Sequence, residues 1–298
     1  MGFETNTIRF LLEARSTGVQ FKQSLTLGRQ GMHLGVYDLQ HVFAETGETL
    51  PTIVAQTLTR DAVDGEPMFA EPLLHYLGAT TADSIDFSDY EAATILHDLN
   101  HPIPAELHGR FSCVIDGGTL EHIFNLPIAL QNSLNLVAEG GHFLAITPCN
   151  NMAGHGFYQF SPELFWRILT PENGYQLEKM YVFEMYPHAP WYRVHDPKVV
   201  GGRVTLQNRR PAFLLVQAKR TSPTPIVQLK VQQSDYVSVW QAGVGAQRRS
   251  LIKRVAAPIR RRLPTKLKIG LRALSFRLKD ALSLIRSPYR ATYYDRYK

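Results

Sequence analysis

The sequence predicts an α/β fold, a doubly wound and mostly parallel sheet followed by a basic helical tail. Two observations carry the sheet. Short apolar runs end in polar or glycine-rich punctuation, and stretches of helical periodicity lie between them. The tail is carried by charge. Residues 245–298 hold 16 Lys and Arg against Asp280 and Asp295, a net +14; since the whole chain is +6, residues 1–244 carry −8. An acidic globular body with a cationic appendage follows, not a uniformly basic nucleic-acid-binding domain.

Taken in order, the strands are Ser24–Gly28, Ala82–Asp86, a short Thr94–His97, Phe111–Asp116 and His142–Pro148. Each reads as a buried strand with chemistry-bearing residues at its C-terminal end. Helical patterns separate them. Glu66–Leu77 puts Phe69, Leu73, Leu74 and Leu77 on one face and stops at Gly78. Pro127–Ala138 does the same with Ile128, Leu130, Leu134 and Val137 before Gly140-Gly141. Two later runs, Leu177–Tyr186 and Ala212–Ala218, suit a terminal antiparallel pair. Thr221-Ser222-Pro223-Thr224-Pro225 reads as a linker, so the body spans residues 1–222 and the tail 223–298.

Composition narrows the class. With 298 residues, 44% of them hydrophobic and 19% charged, the chain has enough apolar surface for a large core, which excludes wholesale disorder and a disulfide scaffold. The two cysteines, Cys113 and Cys149, fit no C-x-x-C or zinc spacing and read as buried thiols of a reducing compartment. Residues 1–6 lack the basic and apolar regions of a signal peptide, and no run approaches 18 apolar residues. A cytoplasmic protein is expected.

In an open parallel sheet, ligands bind outside the carboxyl ends of the strands. Asp86 and Asp116 stand there. A carboxylate ending the second strand can accept two hydrogen bonds from a ribose diol, and Asp98, after the short third strand, can receive an adenine amino group. Each acid alone is equally well a strand-end turn or a helix cap.

The stretch Phe111-Ser112-Cys113-Val114-Ile115-Asp116-Gly117-Gly118-Thr119-Leu120-Glu121-His122-Ile123, then a helix, Gly140-Gly141, a strand and Thr147-Pro148, resembles class I S-adenosylmethionine-dependent methyltransferases. It is similar to their fourth and fifth strand region. The resemblance is clearest over residues 82–170, extends over 21–220 and stops short of the tail. It implies a Rossmann-like sheet of seven strands with a reversed last hairpin and S-adenosylmethionine across the strand ends. It implies Asp86 on the ribose, Asp98 and Leu99 beside the adenine, Asp116 and Gly117 near the methionine moiety, and Gly28 and Gly31 in the first loop.

Two departures from that family accompany the resemblance. Its first loop runs acid-x-Gly-x-Gly-x-Gly, whereas here Leu27-Gly28-Arg29-Gln30-Gly31-Met32 keeps two glycines and no acid. The segment Gly35–Gly65 follows as an insertion, either a lid or decoration. Only seven residues separate Asp86 from Thr94, too few for a crossover helix, which predicts a vestigial third strand.

After the fifth strand, Pro148–Glu163 is the densest polar and aromatic loop, ending in a helix capped by Ser161 with Pro162 at its first position. His155 is a candidate general base, and Asn150, Asn151 and Tyr158 are candidate substrate contacts. An ordered loop satisfying its own backbone is the alternative. Glu121 and His122 are candidate catalytic residues lining the site, or else cap the helix after the fourth strand. No third ligand stands at metal-binding spacing, so no metal is predicted.

In the tail, Leu267, Leu271, Leu274, Leu278, Leu282 and Ile285 form one apolar stripe flanked by Lys268, Arg272, Lys279 and Arg286. Anionic membrane on the inner face, nucleic acid and an ordinary docked helix compete as its partner, the stripe favouring membrane. The chain therefore reads as a methyltransferase acting on a small-molecule or saccharide-type acceptor, through O-methylation. The alternative is a non-catalytic scaffold with a membrane-surface tail. A dehydrogenase is disfavoured because no G-x-G-x-x-G follows a strand.

Overall fold

The computed structural model of the chain describes residues 2–56, 68–236, 289 and 292–297. Its strands are β1 (Gly2–Phe3), β2 (Gln23–Leu27), β3 (Gly31–Met32), β4 (Thr81–Asp86), β5 (Ile95–Leu96), β6 (Phe111–Asp116), β7 (Val137–Asn150), β8 (Tyr175–Glu184), β9 (Tyr192–Val194), β10 (Ala212–Arg220) and β11 (Tyr294–Arg296). Nine of them form one sheet in the order β5-β4-β2-β6-β7-β10-β8-β9-β11, while β1 and β3 pair separately. Strands β5, β4, β2, β6 and β7 are parallel, and β10 runs antiparallel to both β7 and β8. This is the expected doubly wound sheet with its reversed hairpin. It exceeds the expected seven strands by two, β9 and β11.

Alternation buries both faces of the sheet. Val114, Phe143, Ala145, Leu214 and Val216 enter one core, whereas Cys113, Ile115, Leu144, Ile146 and Leu215 enter the other. Such double burial is what a parallel sheet between helical layers requires. Both cysteines are free; Cys113 is fully buried, and burial pushes the Cys149 thiol up to about 12.

The second core is closed by the helix Thr5–Ser16, which the residue pattern did not lead us to expect. Glu4 caps it by accepting from the Asn6 and Thr7 amides. The described part of the 35–65 insertion also lies here. Its helix Val36–Glu45 buries Leu39, Val42 and Phe43 against that face, so residues 35–56 serve the core and not a lid over the strand ends.

Both expected helices between the strands have different bounds. The helix expected over 66–77 is described as Glu71–Tyr76, because Pro72 suits only a first turn and Phe69 is drawn into a bridge with Gly31. The helix Leu126–Leu136 stops before Gly140-Gly141. Buried Arg220 takes over the stop signal: its Nη1 donates to Leu134 O (3.2 Å), Asn135 O (3.0 Å) and Val137 O (2.5 Å), where the helix leaves carbonyls unpaired. The third strand is indeed two residues long. Ser84 and Thr94 stitch its short crossover, with Ser84 N donating to Thr94 Oγ1 (2.8 Å) and Thr94 Oγ1 to Ser84 O (3.0 Å).

Contacts with the body continue past residue 222. Ile226 N donates to Asn135 Oδ1 (2.7 Å), Lys230 N to Asn173 Oδ1 (2.9 Å) and Ser234 N to Glu163 Oε1 (2.7 Å). Strand β11 pairs Tyr294 with Val194 and Arg296 with Tyr192 at the sheet edge, and Tyr297 stacks on buried Trp191. The apolar stripe Leu267–Ile285 lies outside the described residues. No helix among the described residues is long and apolar enough to cross a membrane.

Candidate functional site

Parallel register brings the carboxyl ends of the first, second and fourth strands to one rim: Leu27 pairs with Ile85 of β4 and with Asp116 of β6. A cavity of about 490 Å³ opens beside them, lined by Asp86, Phe87, His97, Asp98, Leu99, Asn100, Thr119 and His122 among others. That volume suits a small ligand. Asp86, Asp98 and Leu99 thus meet in one place although they come from two different strand ends.

The Asp86 carboxylate caps the turn through Ser88 N to Oδ1 (3.2 Å). Its Oδ2 lies toward Gly28, where an added Cβ would come within 3.5 Å of it. Gly28 has φ +67, so the strand turns there at a residue without a side chain. Asp98 accepts from Asn100 N (2.9 Å) and Asn100 Nδ2 (2.8 Å), and these bonds hold its carboxyl below the ordinary 3.8. Leu99 is buried and its carbonyl accepts from Asn132 Nδ2 (3.1 Å). Phe87, 76% exposed at the mouth, was not singled out from the sequence. Its position directly after the strand-end acid was the available signal.

The other first-loop and fourth-strand residues do not line this cavity. Gly31 belongs to β3, beside Gly2. Asp116 is fully buried and acts as a cap: its Oδ1 accepts from Thr119 N (2.8 Å) and Leu120 N (3.3 Å), fixing the short turn Leu120–His122. Gly117 lies beneath Gln30. A Cβ on Gly117 would stand within 3 Å of Gln30 Cδ, and Gln30 Nε2 donates to Leu27 O (2.5 Å). Counting from Gly28, Gln30 replaces the second glycine of the family loop, and its side chain fills the space that glycine would leave. The sequence showed the substitution but not where the amide would fold.

Beyond Thr119 the rim becomes ionisable. Glu121 is fully buried, and neither carboxylate oxygen has an aligned hydrogen bond among the described residues. Its Oε1 lies 3.4 Å from His155 Nε2, and the His122 and His155 ring centroids are 5.2 Å apart. Burial pushes Glu121 and Asp116 up from the carboxylate range, Glu121 further because Asp116 lies beside it. Burial, then the neighbouring His155, hold His122 below its ordinary value. The 151–160 loop is registered on this point: Phe157 N donates to Glu121 O (2.8 Å), and a Cβ on Gly156 would stand 2.8 Å from the same oxygen.

The three predicted catalytic residues therefore converge, and the predicted substrate contacts do not. Asn150 Nδ2 donates to Asn208 Oδ1 (2.8 Å), and Asn151 Nδ2 to Asn208 and to Arg210 O (2.9 Å), tying the loop to residues 208–210. Tyr158 donates to Phe124 O (2.7 Å), so its hydroxyl secures the turn after Glu121. A larger cavity of about 800 Å³, with Trp166, Arg167, Asp196 and Lys230 in its wall, lies away from the strand-end acids.

No protein-family model and no curated protein matches the sequence. Among solved structures, the chain is similar to an N-methyltransferase from Bradyrhizobium japonicum at 10% identity and a TM-score of 0.37, covering 73% of this chain and 96% of that one. An S-adenosylmethionine-dependent methyltransferase from Mesorhizobium loti gives 15% and 0.34, covering 70% and 95%. The branched-chain polyamine synthase of Thermus thermophilus gives 14% and 0.35, covering 78% and 58%. The strand order itself, with β10 reversed between β7 and β8, defines a Rossmann-like fold of the class I methyltransferase type.

Proposed function

We propose that this chain is an S-adenosylmethionine-dependent methyltransferase that uses the strand-end cavity for the cofactor's adenosine half. The observation that carries the reading is the meeting of Asp86, Asp98 and Leu99 in one cavity at the switch point of a doubly wound sheet. The residues fit the group. Asp86 offers a carboxylate oxygen to a ribose diol, Asp98 an acceptor for an exocyclic amine, Leu99 an apolar wall and Phe87 a ring face. When bound, the cofactor supplies an electrophilic methyl group. The chain's own part is to orient the acceptor and take up its proton. His122 lines the cavity with Glu121 and His155 clustered beside it, and their chemistry suits activation of a hydroxyl, which favours O-methylation of a small-molecule or saccharide-type acceptor.

Gln30 supports a second reading, a non-catalytic scaffold, because its side chain occupies room over Gly117 that the family loop leaves open. Calorimetric titration of the full chain with S-adenosylmethionine and S-adenosylhomocysteine separates the two. The enzyme reading expects micromolar binding that Asp86→Ala weakens at least tenfold, about 1.4 kcal/mol. No binding at millimolar ligand supports the scaffold. The tail's net charge supports contact with an anionic membrane surface inside the cell, which sedimentation with phosphatidylserine vesicles at two salt concentrations tests.

A further inference from the structure

We propose that Glu121, His122 and His155 form a site for a borderline divalent cation of the zinc class. One donor atom from each lies within 4.8 Å of the other two. Sequence spacing offered only two of these ligands. The third arrives through the fold, because the 151–160 loop docks its Phe157 and Tyr158 amides on the Glu121 carbonyl and so carries His155 back to the fourth-strand turn.

The geometry is near that of coordination. Bonds of about 2.0–2.2 Å to a four-coordinate ion set neighbouring donors roughly 3.3 Å apart. Glu121 Oε1 and His155 Nε2 already stand at 3.4 Å. His122 completes the set by rotation of an exposed ring next to the cavity.

The independent observation is Glu121 itself. A fully buried carboxyl with no aligned hydrogen bond to either oxygen among the described residues leaves strong acceptors poorly satisfied. A cation satisfies them. Two imidazoles with one carboxylate select zinc or a neighbouring first-row ion over magnesium or calcium, which prefer all-oxygen shells. Three protein ligands leave a fourth coordination position open, the arrangement of catalytic rather than structural sites. The inference stands on the cluster alone and does not require the methyltransferase reading.

A second cluster, His41, Glu45 and His188, lies nearer the surface and can also take up zinc. The test therefore uses the full chain carrying His41→Ala, stripped with chelator and titrated with Zn²⁺ without any nucleoside ligand. Expected is one equivalent bound, a raised melting temperature and, with Co²⁺, a visible absorption band of a low-coordinate ion. His155→Ala and Glu121→Gln, each in the same background, should weaken binding at least tenfold and abolish the band. If Glu121→Gln does not fold, His122→Ala takes its place. No uptake by the His41→Ala chain, or undiminished uptake in the cluster variants, overturns the site. Absence of zinc uptake by the His41→Ala chain with S-adenosylmethionine binding present retires this inference alone, and the converse result retires only the cofactor reading.

Discussion

Arg220 is a cation buried without a carboxylate, and Arg220→Met tests what holds it. The guanidinium is 2% exposed and makes six contacts, all to backbone carbonyls: Leu134, Asn135 and Val137 on one side, Ser222, Pro223 and Thr224 on the other. Removing it does not orphan all of these. Leu134 O keeps the Tyr175 hydroxyl (2.6 Å), and Asn135 O keeps the Gly109 amide (2.8 Å). The carbonyls of residues 222–224 lie close enough to the surface to be hydrated. Val137 O loses its charged donor deep in the core, a loss of about 2 kcal/mol. Two further well-formed bonds, from Nε to Ser222 O and from Nη1 to Asn135 O, contribute about 1 kcal/mol each, and relief of guanidinium burial offsets part of the total. A destabilisation of about 3 kcal/mol is expected. Urea unfolding followed by circular dichroism measures it as a shift in midpoint at constant slope. The shift should be nearly independent of pH, since arginine does not titrate in the accessible range. Arg220→Lys should recover less than half, because an ammonium cannot reach both carbonyl groups at once. A change under about 1 kcal/mol in Arg220→Met would show that packing, not this carbonyl cage, ends the helix Leu126–Leu136.

Other changes test the site and its supports. If the cofactor's amino-acid half lies over Gly117, as the family resemblance implies, Gln30→Gly should strengthen binding of S-adenosylmethionine by roughly tenfold while leaving 5′-methylthioadenosine nearly unchanged; equal effects on both ligands would contradict that placement. Gly156→Ala forces a Cβ to 2.8 Å from Glu121 O, so the loop must shift at about 1–3 kcal/mol and carry His155 with it; undiminished zinc uptake in this variant would argue against the registration. Burial works against the Glu48 charge, but hydrogen bonds from Arg15 and Tyr76 outweigh it and hold the carboxyl below its ordinary 4.5. Its contribution is therefore present above that value and lost as pH falls through the lowered one, so Glu48→Gln and the parent should converge in acid and differ by under about 1 kcal/mol near neutrality in thermal melts.

How far the sequence could be read depended on whether a signal was local. Strand ends at Asp86 and Asp116 were legible because apolar runs met punctuation there, and the meeting of Asp86 with Asp98 followed from the doubly wound order. The helix stop at Leu136 was misread because its signal, Arg220, lies 84 residues away in sequence, and no window contains both. Asn150 and Asn151 looked like ligand contacts since polar loop residues often are, yet their amides found partners in residues 208–210. Gln30 marked a broken glycine pattern, but which groove its side chain would fill depended on Gly117, again from a distant strand. His155 joined Glu121 for the same reason in reverse: two backbone amides, invisible to side-chain pattern, set the register.

Strand β11 has a consequence for biogenesis. The sheet takes its last strand from Tyr294–Arg296, far downstream in sequence of its partner β9, so the edge of β9 stays open until those residues have been made and folded onto it. Trp191 likewise waits for Tyr297 to stack on it. Until then the nascent chain presents an unpaired strand and a bare aromatic surface, the features that recruit chaperones and seed edge-to-edge association. Removing residues 294–297 would leave that edge permanently uncovered.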